Sequence, residues 1–241
     1  MTEARLLENG KVGDTIAALS AQLRDNPTDV QRRTFLFELL CFSGQYDRAE
    51  KQLAVLARDN KETELGAVLY YSALHAEKTR HDLFRSETYP RDLCRSELTG
   101  TLNGKPFTSI SDADQTIGAR LEVFVAGSYV WVPFEHIASI QLQEPKRLRD
   151  TLWTPALVQT GPSFEGADMG EVLIPVVYPF SWKSDQEMLW LGRGTSWVAD
   201  DQGAEFPVGQ KIFLVDGAEM PLLQVRSITI DPAAASFNAA S

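Results

Sequence analysis

The chain has 241 residues, of which 44% are hydrophobic and 23% are charged, and its formal net charge is −10. This length and composition suit one large domain or two modest domains with hydrophobic cores. The acidic excess argues against nucleic acid as the main partner, because phosphate binding needs a basic surface. The sequence has neither an apolar run of about 18 residues nor a signal-peptide pattern, so we expect a cytoplasmic protein without membrane contact.

The first feature in chain order is a repeat with an offset of 34 residues. The triplet Arg24-Asp25-Asn26 returns as Arg58-Asp59-Asn60, and Gly10 aligns with Gly44 at the same offset. This is the period of tetratricopeptide units, in which a pair of helices stacks on the next pair to bury its apolar faces. The repeat therefore predicts helical hairpins whose turns lie at Gly10 and Gly44.

The character of the sequence changes near residue 97. Before this point apolar residues recur at helical spacing, as in Ile16, Leu19 and Leu23. After it, glycine-marked turns separate segments of strand-like composition. We therefore predict an α+β protein with tetratricopeptide-like helical repeats over residues 2–96, a mainly β domain over 97–230 and a loose tail over 231–241. The β half should cap the last helix, since so few repeats do not form an independent solenoid.

Several hairpins and strands can be assigned within the second half. Asn103 and Gly104 lie between apolar flanks, which is the strongest short hairpin signal. The segment RLEVFVAGSYVWVPF predicts two strands around Gly127 and Ser128. Further strands are predicted in IASIQLQ, EVLIPVVY, KIFLV and LLQVRSITI.

The motifs that support catalysis or metal binding are incomplete in this sequence. It contains no glycine-rich phosphate loop and no HExxH pair. Ser163 in GPSFEG resembles a nucleophile elbow, but Glu165 replaces the required second glycine, so we predict a loop. Asp112 and Asp114 begin like a calcium loop, but Ile117 replaces its glycine, which favours a polar turn. We expect no enzyme activity, no cofactor, no metal and two free thiols, at Cys41 and Cys94.

The tryptophans all lie in the second half of the chain. Trp131 and Trp153 belong to apolar strand segments, so we assign them to the core. Trp182 and Trp197 are next to polar loop residues and fit either a core or an interface role. An alternative function follows from this region: a small-ligand binder or enzyme whose pocket contains Arg193 as an anion clamp, Asp150 and the tryptophans. The competing interpretation is that Arg193 and Asp150 pair with each other or with loop backbone.

Several segments together resemble a known family. They are FLFELLCFSGQYDRAEKQL, the DAD triplet at 112–114, LEVFVAGSYVWVPFEHIASIQLQEPKRLRDTLWTPALV, PVVYPFSW and LGRGTSW. The chain is similar in these segments to the TagJ/ImpE accessory family of bacterial type VI secretion. The resemblance implies a non-enzymatic accessory protein that binds the small subunit of the contractile sheath and is linked to the ring ATPase that recycles the sheath.

The repeat geometry also predicts a binding groove. The first helix of the second repeat should begin near Val30, with Leu36, Phe37 and Leu40 packed against its partner helix. The groove-facing positions, followed by their equivalents one period later, are then Gln31, Thr34, Glu38 and Cys41, and Leu65, Val68, Ser72 and His75. We hypothesise that the small sheath subunit presents an amphipathic helix to this face. The alternative is that the β domain covers the face.

Overall fold

A computed structural model of the chain defines its architecture. The residues that it describes are 3–58, 61–92, 94–166, 168–200 and 202–232. The side chains of residues 3–4 and 61–65 are outside this description, as are residues 233–241, which make up most of the predicted tail.

The first half is helical and follows the predicted repeats. Its helices are α1 (Glu3–Glu8), α2 (Val12–Asp25), α3 (Val30–Phe42), α4 (Tyr46–Leu56) and α5 (Lys61–Ser86). The α3 helix begins at Val30, as predicted, where the Asp29 carboxylate accepts a hydrogen bond of 2.9 Å from the Arg32 N–H. None of the helices in the described ranges combines the length and apolar character needed to cross a membrane.

The two predicted turns have left-handed glycines. Gly10 follows α1 with φ of +71°, and Gly44 follows α3 with φ of +68°. This conformation suits glycine at a helix C-terminus because a side chain would be strained there. At Gly44 a Cβ atom would also lie only 2.5 Å from the Trp182 ring. The second turn is therefore a packing site for the β half.

The second half is mainly β, which confirms the predicted fold class. Its elements are β1 (Gly100–Leu102), β2 (Lys105–Phe107), β3 (Ile110–Asp112), β4 (Arg120–Val125), β5 (Ser128–Pro133), β6 (Ile137–Leu142), β7 (Trp153–Thr160), β8 (Gly170–Pro175), α6 (Glu187–Trp190), β9 (Thr195–Ala199), β10 (Glu205–Gly209), β11 (Ile212–Val215), β12 (Ala218–Pro221) and β13 (Ser227–Ile230). An antiparallel sheet has the order β2-β1-β13-β6-β7-β8-β4-β5. The strands β12-β11-β3 form a second sheet, and β9 and β10 form a hairpin.

The predicted hairpins agree with the structure to within one residue. Asn103 and Gly104 connect β1 and β2 with positive φ values of 50° and 77°. The β4–β5 turn has its positive φ values at Ala126 and Gly127, so the prediction of Gly127 and Ser128 was one residue too late. The segment LLQVRSITI was wrong as a continuous strand, because Leu222–Gln224 forms a 3-10 turn before β13.

A shared core joins the two halves. Leu39 and Leu74 of the helices belong to the same buried cluster as Phe124, Trp153 and Val177 of the β half. The sheet face therefore caps α5, as expected. Trp153 is in the core, as predicted.

Trp131 does not share this full burial. It is half-buried, and its ring stacks 5.9 Å from that of Tyr89.

Candidate partner-binding groove

An open groove lies between α3 and α5 and has a volume of about 540 Å³. We call it the α3–α5 groove; it is lined by Val30, Thr34, Phe37, Glu38, Leu53, Leu56, Gly66, Ala67, Tyr70, Arg147 and Arg149. Phe37, Leu53 and Leu56 are buried and form an apolar floor. Val30 at the rim is 40% exposed, and nothing lies within 4 Å of the place where a Gly66 Cβ would be. The groove thus has an apolar floor and an exposed apolar residue at its rim.

Charged groups from the β half complete one wall of this groove. The Arg149 guanidinium pairs with the Glu38 carboxylate at 3.2 Å and lies 4.6 Å from the Tyr70 ring centroid. Burial raises the pKa of Glu38, although Arg149 opposes this shift. The Nε atom of Arg149 is buried without a hydrogen-bond partner among the described residues. Arg147 is exposed and forms no ion pair with the described side chains.

A second groove lies on the other side of α5. We call it the α5–sheet groove; it has a volume of about 450 Å³, and Val68, Leu69 and Ser72 face Phe124 and Leu173 across it. Val68 is 59% exposed and Leu69 is 50% exposed. Large apolar side chains with this exposure are typical of interaction surfaces when they adjoin a concave site.

The predicted groove residues do not form one surface. Thr34 and Glu38 line the α3–α5 groove, whereas their 34-residue equivalents Val68 and Ser72 line the α5–sheet groove. Within the described residues, β5 packs against α5, and Phe124 and Leu173 of the sheet line the groove beside Val68 and Ser72. Part of the predicted face is therefore open and part adjoins the β domain, and its binding of a partner stays a prediction.

The remaining predicted groove residues have different environments. Gln31 and His75 are exposed but line neither groove. Cys41 is only 2% exposed within the helical core, so its assignment to the partner-binding surface was wrong. It packs inward because α3 is buried on all sides from Leu36 to Phe42. The side chain of Leu65 lies outside the described residues.

The residues of the alternative ligand pocket have structural roles. The Arg193 guanidinium donates to the Leu7 and Glu8 carbonyls at 2.7 and 3.1 Å, which satisfies the C-terminal end of α1. The Asp150 carboxylate accepts backbone N–H bonds from Lys146 and Arg147 at 2.9 and 3.0 Å. Both side chains pair with loop or helix-end backbone, as the competing interpretation held.

The two undecided tryptophans differ from each other. Trp182 packs on Gly44, and its ring is 4.4 Å from that of His81 in an edge contact. Trp197 is 42% exposed on the β9–β10 hairpin. Trp182 thus belongs to the junction of the two halves, whereas Trp197 remains a surface residue.

Sequence reasoning missed a buried group of charges between the halves. This buried ionic cluster consists of Glu77 and Arg80 on α5 and Asp112, Glu122 and Lys211 in the β half, all at most 4% exposed. Arg80 bonds Glu122 through Nε at 2.7 Å and through Nη2 at 3.1 Å. Lys211 bonds both Asp112 and Glu122 at 2.6 Å. The Arg80–Glu122 ion pair thus connects α5 to strand β4 of the sheet.

The cluster shifts the pKa values of its members in opposite directions. Burial raises the pKa of Asp112 to about 6, despite the pairing with Lys211. Burial would also raise the pKa of Glu122, but attraction to Arg80 and Lys211 outweighs this effect and lowers it to about 2. Glu122 therefore carries a full charge at neutral pH, and its two cationic partners hold it.

The remaining motifs are the predicted loop at Ser163 and the predicted polar turn at Asp112. The Ser163 hydroxyl lies 3.1 Å from the Glu135 carbonyl and 2.9 Å from Nδ1 of His136, and both groups compete for its one hydrogen. Asp112 and Asp114 each accept a backbone N–H two residues later, as the predicted polar turn requires. The described residues contain no group of three or more side chains arranged to hold a metal ion. Cys41 and Cys94 are free thiols, as predicted.

These features define a helical-repeat protein whose repeats are capped by an antiparallel β domain and flanked by open apolar grooves. Residues 6–69 match the tetratricopeptide repeat model, and residues 104–229 match the model of the ImpE protein family. The chain belongs to the ImpE family, which confirms the resemblance seen in the sequence.

Two relatives extend the match to nearly the full chain. The type VI secretion system accessory component TagJ of Pseudomonas aeruginosa is 28% identical to it, over 96% of this chain and 92% of TagJ. The crystal structure of a protein from Vibrio parahaemolyticus superposes with a TM-score of 0.82 at 21% identity, over 96% of this chain and 98% of that one. The second match shows that the two proteins share a fold.

Proposed function

We propose that this protein is a non-enzymatic accessory component of a type VI secretion system. Membership of the ImpE family and the similarity to TagJ over 96% of the chain support this role. The structural use of Arg193 and Asp150 favours it over a ligand-binding enzyme. We expect the protein to act in the cytoplasm.

The partner that we propose is the small subunit of the contractile sheath, bound through an amphipathic helix in the α3–α5 groove. The observation that carries this proposal is an open apolar floor beside exposed Val30 and beside Arg147, which forms no ion pair with any side chain that the structure describes. Grooves between repeat helices commonly bind a helix by its apolar face. If the bound sheath subunit is also a substrate of the sheath-recycling ring ATPase, that subunit would link this protein to the ATPase.

The dimensions of the groove fit a short helical segment. Val30 and Glu38 are eight residues apart on α3, which corresponds to about 12 Å along the helix axis. This length accommodates roughly two turns of a partner helix, with apolar anchors spaced three or four residues apart. An acidic residue at the edge of that helix would pair with Arg147.

The α5–sheet groove is the competing location for the same helix. Its exposed Val68 and half-buried Ser72 were predicted to bind the partner, and Phe124, Leu173 and Val68 give it apolar surface. Among the described lining residues the charged one is Glu171, and no arginine contributes. The two locations therefore differ in the sign of the charge that they favour on the partner.

Three valines allow the two grooves to be compared by the same chemical change. We would substitute glutamate for Val30 in the α3–α5 groove, for Val68 in the α5–sheet groove and for Val55 as the control. Val55 is 46% exposed on α4 and lines neither groove. Calorimetric titration with the purified small sheath subunit gives Kd, and thermal unfolding verifies each fold.

Val30→Glu should raise Kd by at least about tenfold, because burial of one aliphatic side chain contributes about 1.5–3 kcal/mol and a buried carboxylate adds a penalty. Val55→Glu should leave Kd unchanged. Loss of binding with Val68→Glu alone would move the site to the α5–sheet groove. If all three variants bind the sheath subunit with the Kd of the unaltered protein, both locations are refuted. If the unaltered protein does not bind the sheath subunit, the proposed partner is refuted.

A further inference from the structure

Arg120 differs from the other deeply buried cations of the described residues. Those cations are Arg80, Lys211 and Arg120, with exposures of 1%, 1% and 6%. Arg80 pairs with Glu122, and Lys211 pairs with Asp112. Arg120 forms no ion pair with any described side chain. Burial of a cation normally requires a negative partner, and within the part of the chain that the structure describes no carboxylate lies within ion-pair distance of Arg120.

The contacts of Arg120 only partly compensate its charge. Nη1 donates to the Ile117 carbonyl at 3.1 Å, and Nη2 donates to the Asp92 carbonyl. The guanidinium carbon lies 5.7 Å from the centroid of the Trp131 ring. Carbonyl dipoles and a ring face stabilise a cation less than a carboxylate does. A guanidinium has five N–H donors, so further acceptors can bind.

Arg120 also lines a cavity of about 400 Å³ at the junction of the α5–β1 connection and the β3–β4 turn. We call it the Arg120 cavity; Arg91, Asp92, Cys94 and Thr116 contribute to its wall. Arg91 is exposed, and its guanidinium lies 5.8 Å from the Tyr89 ring centroid. The described lining thus contains two arginines and the carboxylate of Asp92, and the Glu135 carboxylate lies close enough to act on the Cys94 thiol in the same wall.

We propose that the Arg120 cavity binds a small molecule bearing an oxyanion, either a carboxylate or a phosphate. Arg120 supplies the buried counter-charge, and Arg91 attracts the anion at the mouth. Guanidinium groups suit both ligand classes because their planar donors match two oxygens at once. The cavity volume lies within the usual range for small-molecule sites. The described lining residues of this cavity and of the α3–α5 groove do not overlap, so the two proposals can be tested separately.

Cys94 provides a direct reporter of occupancy. It lies in the cavity wall and is half-buried, whereas the other thiol, Cys41, is 2% exposed. Iodoacetamide should therefore alkylate Cys94 first, with the rate followed by mass spectrometry of the full chain. Burial raises the pKa of the Cys94 thiol, so the reaction is run at mildly alkaline pH.

Sodium phosphate and sodium acetate form the two arms, and sodium chloride of equal ionic strength is the reference. A ligand that occupies the cavity should slow alkylation saturably, by roughly tenfold at ten times its Kd, because only the free cavity reacts. Protection by phosphate alone or by acetate alone would identify the class of oxyanion.

Two surface variants test the role of charge without disturbing the core. Arg91→Gln should weaken protection severalfold, whereas Arg95→Gln, exposed in the same connection but outside the cavity, should not. Arg120→Gln should abolish protection of Cys94 if this variant folds. If it does not fold, the comparison of Arg91→Gln with Arg95→Gln tests the proposal. The proposal is overturned if neither anion protects Cys94 saturably. It is also overturned if a folded Arg120→Gln variant is protected like the unaltered protein, or if the Arg91 and Arg95 variants weaken protection equally.

Discussion

Replacement of Arg80 by methionine should destabilise the whole protein and not only α5. The Arg80 guanidinium bonds Glu122 twice, Glu77 at 3.1 Å and the Val177 carbonyl at 3.0 Å. Methionine fills part of the same volume but leaves Glu77 without its cation, and it leaves Glu122 with Lys211 and the Tyr129 hydroxyl as partners among the described residues. The variant thus leaves uncompensated negative charge in the shared core.

The magnitude follows from the depth of the cluster. Removal of one partner from a buried ion pair costs about 3–5 kcal/mol, which is a large part of the usual stability of about 5–15 kcal/mol. For a chain of this size the same loss corresponds to a decrease in Tm of about 6–20 °C. An exposed pair on the same helix sets the comparison: Lys78→Met removes bonds to Asp47 and Glu50 and should cost at most about 1 kcal/mol.

A second substitution tests whether charge is the cause. In Arg80→Met/Glu122→Gln the charge of Glu122 is removed together with its partner, so less uncompensated charge remains buried. The double variant should therefore be more stable than Arg80→Met alone, with a coupling of about 0.5–3 kcal/mol between the two positions. A simple loss of packing volume would instead make the two effects additive.

Urea unfolding measures these differences with two probes. The tryptophans all belong to the β half. Their fluorescence therefore reports that half and, through Trp153 and Trp182, its junction with the helices, whereas far-ultraviolet circular dichroism reports mainly the helices. The two transitions should coincide in the unaltered protein because α5 and the sheet share one core. A cost for Arg80→Met as small as that for Lys78→Met, or an additive double variant, would refute the argument.

Three further expectations concern pH, a turn and a helix end. Burial raises the pKa of Asp112 from 3.8 to about 6, so the folded state binds this proton more tightly than the unfolded state does. The contribution of Asp112 to the free energy of unfolding therefore falls as pH rises from about 4 to about 6. Asp112→Asn should flatten this part of a series of urea unfolding curves measured at different pH values. Gly44→Ala should cost more than about 1 kcal/mol in urea unfolding because of its positive φ and the Trp182 contact, whereas Gly66→Ala, in open space on α5, should stabilise by about 0.5–1 kcal/mol. Arg193→Ala should cost about 0.3–1 kcal/mol. It should speed amide hydrogen exchange in α1 and not in α4, since the guanidinium donates to carbonyls at the α1 terminus.

Features set by local chemistry could be predicted from the sequence. The helical repeat follows from spacing and from glycines that tolerate left-handed backbone, as at Gly10 and Gly44. The Asn103-Gly104 hairpin follows from turn preference alone. The error at the β4–β5 turn shows the limit, because Ala126 adopts a positive φ that composition does not indicate and the register of the hairpin imposes.

Features that depend on distant residues could not be predicted. Lys211 and Asp112 are 99 residues apart, and Arg80 and Glu122 are 42 apart, so no local pattern connects them. One signal was present: Glu122 interrupts the apolar strand RLEVFV, and a charge in a strand buried on both faces must have a partner. The division of the predicted groove has the same origin, since it depends on where the sheet contacts α5.

The buried ionic cluster also bears on how a partner would be bound. The α3–α5 groove takes one wall from the helices and one from the β half, where Arg149 pairs with Glu38. Because the cluster and the shared core fix α5 on the sheet, the two walls are held at a set distance before any partner arrives. Because the groove is already formed, its side chains do not have to be ordered when a partner binds, and less free energy is lost on association. Affinity should then depend on the match of apolar anchors and charge, so single substitutions at the rim can change Kd without changing the fold.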